Sequence, residues 1–250
     1  MKLSVSGIDF SYRSSTILDD VSFGVEPGEL LCILGVNGAG KSTLIKCINR
    51  ILTPKRGTVL VDGKAVFDMR QREVAQYLGY VPQKHPETLL SVYETVLMGR
   101  RPHVQWALRD SDYALVEQIL DQLGLHKLAM RPVTNLSGGQ LQKVIIARAL
   151  AQSPSVLLLD EPISNLDLKN QMEVMHLVKG ISRAQKLAAV VTIHDLNMAL
   201  RFGDKFLFLK DQKVQAITDR AGFTPELSET VYDLPVSLHQ CDGHFMVVPA

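Results

Sequence analysis

Gly35-Val36-Asn37-Gly38-Ala39-Gly40-Lys41-Ser42 decides the fold. The run fits G-x-x-x-x-G-K-[ST], and both flanks suit it. The apolar stretch Glu29-Leu30-Leu31-Cys32-Ile33-Leu34 enters it as a predicted strand, and a helix is expected to leave it. Glycines let successive backbone N–H groups turn inward around phosphate oxygens, and the start of the helix adds a favourable dipole. Lys41 brings a point charge to the β- and γ-phosphates of a nucleotide, and the Ser42 hydroxyl can ligate Mg²⁺. A glycine-rich turn that matches by accident would need neither the strand before it nor the helix after it.

Outward from this loop, the helix is predicted from Gly40-Lys41 to about Leu52, stopped by Thr53-Pro54. Thr58-Val59-Leu60-Val61-Asp62-Gly63 reads as a strand ending in a turn, and Met1 to Phe10 alternates like a strand. Downstream, Val156-Leu157-Leu158-Leu159-Asp160-Glu161 is an apolar strand that delivers a carboxylate to the same sheet edge. Asp160 is expected to hold Mg²⁺, directly or through water, and Glu161 to polarise an attacking water as general base. Taken alone, an acidic strand end that caps the next helix would explain those two residues as well. Between the two strands, from about Pro86 to Gln152, the texture is helical. Leu115, Val116, Ile119, Leu120 and Leu123 share one helical face, Gly124 marks a C-cap, and Ser137 is a suitable N-cap for the next helix. Strand character returns at Ala188–Ile193, with helices expected near Leu168–Ser182 and Leu196–Phe202. Strand–helix alternation with unalternated apolar runs predicts an α/β fold, its mainly parallel sheet covered on both faces.

Composition narrows the class. A chain of 250 residues with 46% hydrophobic and 21% charged residues is long enough for one large folded domain with a subdomain. Lys and Arg (27) nearly cancel Asp and Glu (26), so net charge gives no sign of a nucleic-acid partner. Cys32, Cys47 and Cys241 have no metal-ligand spacing, and the first two read as buried thiols, which fits a reducing cytosol. His85, His103, His126, His176, His239 and His244 likewise lack ligand spacing and read as surface or packing residues. No apolar run approaches the roughly 20 residues of a membrane span, and the start lacks the apolar core of a signal peptide. Any membrane association is therefore expected to go through a partner.

Leu136-Ser137-Gly138-Gly139-Gln140 adds a far more specific signal. With the phosphate loop before it and the acidic strand after it, the chain resembles the nucleotide-binding subunit of ATP-binding cassette (ABC) transporters over nearly its whole length. The resemblance implies a P-loop NTPase (RecA-like) core, with an antiparallel β-subdomain and an inserted α-helical subdomain. It divides the chain into a core of residues 1–85 and 153–250 and a helical part of 86–152. It implies ATP and Mg²⁺ as ligands, held by Gly35, Asn37, Gly38, Ala39, Gly40, Lys41, Ser42, Thr43 and Asp160. It also implies a head-to-tail pair of copies, in which Ser137, Gly138, Gly139 and Gln140 of one cover the γ-phosphate bound by the other. Tyr12 resembles the aromatic that stacks on adenine. Gln83 resembles the glutamine that touches Mg²⁺ or the water and links to the helical part. Asp167, in Ser164-Asn165-Leu166-Asp167, resembles the loop that crosses the dimer interface, and His194 resembles the switch histidine that contacts the γ-phosphate. Val36 stands where many members have Pro, and Leu141 and Lys143 stand where polar residues and Arg are frequent. None of these departures removes a group the chemistry needs.

The resemblance further implies permease subunits in the membrane, a substrate-binding protein behind them, no nucleic acid, and a place on the cytoplasmic face of the inner membrane. Ser91 to His103, His194 to Ala199, and Thr224-Pro225-Glu226-Leu227 are similar to importers of ferric siderophores, haem and cobalamin. Molybdate or another oxyanion, zinc and other substrates stay open. So do two rival classes: a cassette protein without a membrane partner, and a docking subunit that binds nucleotide without turnover. A single cassette without sustained heptads speaks against the first, and retention of Lys41, Asp160, Glu161 and His194 against the second.

Overall fold

The structure is a computed structural model describing residues 1–13, 15–84 and 88–250, with the backbone but not the side chain of His244. The chain opens with two long antiparallel strands, β1 (Leu3–Tyr12) and β2 (Ser15–Val25), before β3 (Leu30–Leu34) leads into the glycine-rich loop and α1 (Lys41–Ile48). β4 (Arg56–Val61) and β5 (Lys64–Ala65) complete a four-stranded antiparallel sheet of order β2-β1-β4-β5. α2 (Gln71–Tyr77) and β6 (Leu78–Val81) return the chain to the main layer. Three helices follow: α3 (Val92–Leu97), α4 (Asp110–Gln122) and α5 (Gly138–Leu150). The rest alternates as β7 (Val156–Asp160), α6 (Leu168–Gln185), β8 (Ala188–Thr192) and α7 (Leu196–Phe202). The edge hairpin β9 (Lys205–Lys210) and β10 (Lys213–Thr218) comes next, then α8 (Pro225–Tyr232) and a terminal hairpin, β11 (Val236–Cys241) and β12 (His244–Pro249).

The central sheet has the order β10-β9-β3-β8-β7-β6, with every neighbouring pair parallel except the β9–β10 edge. β3, β7 and β8 are buried along their whole length. Side chains alternate between faces, so an unbroken apolar run must be covered on both. Leu31, Ile33, Leu158 and Val190 point into a core shared with α1 and the antiparallel sheet. Leu30, Cys32, Leu159 and Val191 point into a second core, shared with α5, α6, α7 and the C-terminal elements. The antiparallel β2, the β9–β10 edge and the terminal hairpin complete the fold beyond the predicted strands.

Local signals end the helices. α5 begins with a reciprocal capping box: Ser137 Oγ accepts from the Gln140 amide at 3.3 Å, and Gln140 Oε1 accepts from the Ser137 amide at 3.1 Å. α4 stops at Gly124, which takes φ +66° while Leu125 N–H donates to Leu120 O. α1 ends at Ile48, a turn before the expected stop near Leu52. Arg50 adopts the left-handed conformation (φ 54°), its N–H donates to Cys47 O, and Ile51 N–H donates to Lys46 O. These are the paired bonds of a Schellman termination without glycine, and the Arg50 guanidinium secures them by donating to Met69 O. α6 runs one turn beyond Ser182, to a left-handed Lys186.

Cys32 and Cys47 are buried thiols, which burial pushes up to about 12, while Cys241 is exposed. His176 packs edge-on against Phe202, His103 Nε2 meets Gln152 O, and His126 and His239 bond to surface neighbours. His85 and the expected boundary at 85/86 lie outside the described residues, as does the His244 side chain. Among the described residues, no helix is long and apolar enough to cross a membrane.

A buried ion pair locks the helical segment. Arg100 Nε donates to Asp112 Oδ1 at 2.8 Å, with both side chains nearly buried, and Arg100 Nη1 reaches Ala151 O at the end of α5. The Arg109 amide and then Arg100 hold the Asp112 carboxyl below the usual carboxylate range. Asp112→Ala is expected to cost about 3 kcal/mol at neutral pH, because it leaves Arg100 unpaired. A depressed folded pKa contributes stability that is complete above the unfolded value and is lost as pH falls through the folded one. Thermal melts of wild type and variant should therefore differ widely at neutral pH and converge in acid.

Candidate nucleotide site

Parallel pairing brings the carboxyl ends of β3, β7 and β8 together at the middle of the sheet, where ligand crevices form in open α/β sheets. The glycine-rich loop leaves β3, Asp160 and Glu161 end β7, and His194 lies two residues past β8. Ile17, Asn37, Gly38, Gly40, Lys41, Ser42, Thr43, Glu161 and His194 line one cleft of about 200 Å³. Gly35 is required by geometry: its φ is +151°, and a Cβ there would overlap the Leu209 carbonyl oxygen of β9.

Lys41 is 5% exposed, and its ammonium donates to Gly35 O (2.7 Å) and Val36 O (3.0 Å). Burial lowers its pKa, an effect opposed by the Glu161 and Asp160 carboxylates. Ser42 Oγ donates to Asp160 Oδ1 at 2.8 Å, which sets a hydroxyl and a buried carboxylate side by side at the helix start. Two hard oxygen donors next to a phosphate loop are a donor set that suits Mg²⁺.

Glu161 is the hub of the site. Its Oε2 accepts from Gln83 Nε2, and its Oε1 meets His194 Nε2, both at 2.5 Å. The backbone at Glu161 takes φ 50°, which turns the chain sharply off β7, and Ser164 caps the Glu161 carbonyl by its N–H and its hydroxyl. Gln83 reaches the hub because β6 pairs in parallel with β7, setting Val81 beside Leu159 and carrying the chain past the same edge. His194 is set just ahead of α7, whose N-cap Asp195 accepts from the Asn197 and Met198 amides.

Other expected residues stand apart from this cleft. Tyr12 is exposed at the end of β1 and stacks edge-on with Phe10. Gln83 and Asp160 join the cleft through Glu161 and Ser42. Ser137, Gly138, Gly139 and Gln140 start α5 outside the cleft, beside the N-cap Asp167 of α6. Gly139 packs so tightly there that a Cβ would overlap the Asn170 carboxamide, whose nitrogen donates to Asp167 Oδ2 at 2.8 Å. Asp167, Ser137 and Gly138 are exposed while Gly139 is buried, which leaves the rim of this edge open to solvent.

Sequence reasoning missed three residues. Ile17 lines the cleft from β2. Tyr232 of α8 accepts a hydrogen bond from the Gly35 amide at 3.0 Å. Thr192, fully buried and paired with Asp160 across β8 and β7, donates to Asp160 Oδ1 (3.0 Å) and accepts from the Glu161 amide (2.8 Å). A threonine at the end of an apolar run looks like any β-branched strand residue, so only the strand register reveals its role. Thr192→Val keeps the shape and removes both bonds. The variant should lose about 1–3 kcal/mol in a denaturant titration, and its rate of nucleotide hydrolysis should fall at least about tenfold.

Comparison with known proteins accords with this geometry. A family described as ABC transporter matches residues 18–164. An uncharacterized ABC transporter ATP-binding protein of Methanocaldococcus jannaschii is 49% identical over 100% of this chain and 98% of its own length. A cobalamin import ATP-binding protein of Halobacterium salinarum is 38% identical over 95% of this chain, which spans 60% of that relative's length. Among solved structures, one of a metal-chelate type ABC transporter in an inward-facing conformation superposes with a TM-score of 0.87 at 33% identity, covering 100% of this chain and 98% of the other. A phosphate loop, an acidic strand and a glutamate hub on one sheet edge, with matches of this extent, lead to one conclusion: the chain belongs to the ABC transporter family, as an ATP-hydrolysing cassette.

Proposed function

We propose that this chain powers a membrane importer for a metal chelate, such as an iron–siderophore complex, haem or cobalamin, from the cytoplasmic face of the inner membrane. The observation that carries the catalytic part is Glu161, held between Gln83 and His194 at the rim of a cleft floored by the phosphate loop. Lys41, the loop that starts at Gly35, with the amides of Asn37 to Thr43, and the start of α1 bind the phosphates of ATP, and Tyr12 stacks on the adenine. Ser42 and Asp160 hold Mg²⁺, with Gln83 near, and the ion when bound neutralises phosphate charge. Glu161 takes a proton from the attacking water, and His194 keeps that carboxylate aimed while contacting the γ-phosphate.

Two copies pair head to tail. The start of α5, with Ser137 and the amides of Gly138 and Gly139, covers the γ-phosphate of the opposite copy, and Asp167 crosses the interface. Its exposure beside Asp167, away from the chain's own cleft, supports that arrangement. ATP closes the pair, and phosphate release reopens it. Gln83 passes the change from the core (1–85 and 153–250) to the helical part (86–152), which moves the permease subunits. Kinship with a cobalamin importer's subunit and a metal-chelate transporter supports the cargo class, with an oxyanion or another metal as the alternative.

Purifying this chain from its native membranes tests the reading. A many-helix permease and a substrate-binding protein should accompany it, and the binding protein should take up ferric siderophore, haem or cobalamin. Ribosomal or DNA-associated partners alone would overturn transport and leave the ATPase standing. Glu161→Gln should bind ATP yet hydrolyse it at least about a hundredfold more slowly, since it removes the base and keeps the side-chain shape. With ATP and Mg²⁺ it should accumulate as a dimer in light scattering. Turnover at the wild-type rate would remove Glu161 from its role.

A further inference from the structure

The C-terminal segment grips the nucleotide site from behind at two separate points. At the first, the Tyr232 hydroxyl accepts from the Gly35 N–H at 3.0 Å. Gly35 is the residue where β3 ends and the loop begins, and the β3–β9 ladder runs up to Leu34 beside Phe208. On its other side, the Gly35 Cα lies against the Leu209 carbonyl. The loop therefore springs from a residue wedged between β9 and Tyr232. Burial pushes the phenol up to about 12, and its oxygen accepts the Gly35 bond in the neutral form.

At the second point, the Asn197 carboxamide pairs with the backbone of Val247. Its Nδ2 donates to Val247 O (3.2 Å), and its Oδ1 accepts from Val247 N–H (2.7 Å). The arrangement imitates one step of a β-ladder between helix α7 and strand β12. Asn197 is three residues past His194, and its own amide is capped by Asp195. The bond thus fixes the first turn of the helix that directly follows the histidine.

The two anchors belong to one body. Phe223, Val231, Val236 and Val247 are buried in the core beneath the sheet, and Phe223 packs on Phe206 and Phe208 of β9. Lys210 of β9 also holds the end of α8, through Thr230 O and Asp233 Oδ1, each at 2.7 Å. A segment that only covered apolar surface would need neither polar anchor.

We propose that residues Pro225–Pro249 form a strap that positions the ATP site, Tyr232 setting the phosphate loop and the β12–Asn197 pairing setting the helix behind His194. Both are positioning residues, acting through Gly35 and His194. Tyr232→Phe in the full chain removes one oxygen. ATP affinity, titrated with Mg²⁺, should fall about fivefold to tenfold, the worth of one lost hydrogen bond. Hydrogen exchange should quicken across residues 35–42 and stay unchanged at 236–249. Asn197→Ala should do the reverse: faster exchange at 194–199 and 236–249, with ATP affinity within about twofold of wild type.

Wild-type affinity and wild-type loop exchange in Tyr232→Phe would overturn the proposal. So would identical patterns in the two variants, or faster exchange spread over the whole chain, since either means a structural role alone. Loss of ATP binding by the wild-type chain itself would instead overturn the nucleotide assignment, and the exchange maps would still judge the strap.

Discussion

One hydroxyl governs where the acidic strand ends. Parallel pairing of β7 with β8 sets Asp160 beside Thr192, and Thr192 Oγ1 bonds both to that carboxylate and to the next amide along the chain. Asp160 is thereby aimed at Ser42, while Glu161 is released into a left-handed turn with its side chain facing His194. Without this bridge the Glu161 amide would lose its partner and Asp160 would keep only Ser42, a loss of about 1–3 kcal/mol from a net stability of roughly 5–15 kcal/mol. Strand register, more than loop chemistry, makes the site one object.

The same logic extends to the hub. Gln83, Glu161 and His194 leave three different parallel strands, and each continues past the sheet edge by one to two residues. Such short extensions allow little sway, so hydrogen bonds of 2.5 Å join side chains that are far apart in sequence. A glutamate held from both sides is oriented before any substrate arrives, the preorganisation that the proposed general-base role calls for.

Much of this was legible in the sequence because it is local. The strand into Gly35, the Ser137–Gln140 cap and the Gly124 stop each depend on residues within one or two turns of each other. The α1 terminus was misjudged because Arg50 does what glycine ordinarily does, secured by a carbonyl nineteen residues on. β2, β9, β10 and the terminal hairpin went unread although Val21, Phe23 and Val25 alternate inward and Phe206 to Leu209 are buried throughout, because such short runs carry no chemical motif and suit a helix segment as well as a strand. Thr192, Tyr232 and Asn197 went unread for a deeper reason. Their chemistry is set by partners from tens to nearly two hundred positions away, and no residue pattern at either end announces the bond.

Gly139 and Asn170 share a space that only one of them can fill. A larger residue at 139 is tolerable only if position 170 shrinks or turns away, and then Asp167 loses the side-chain bond from 170 and keeps only the one from its amide. Divergence at 139 is therefore conditional on 170, whereas 170 can shrink by itself. In descendants of this sequence, 139 should grow only where 170 has already shrunk, tying the history of one helix start to that of another about thirty residues downstream.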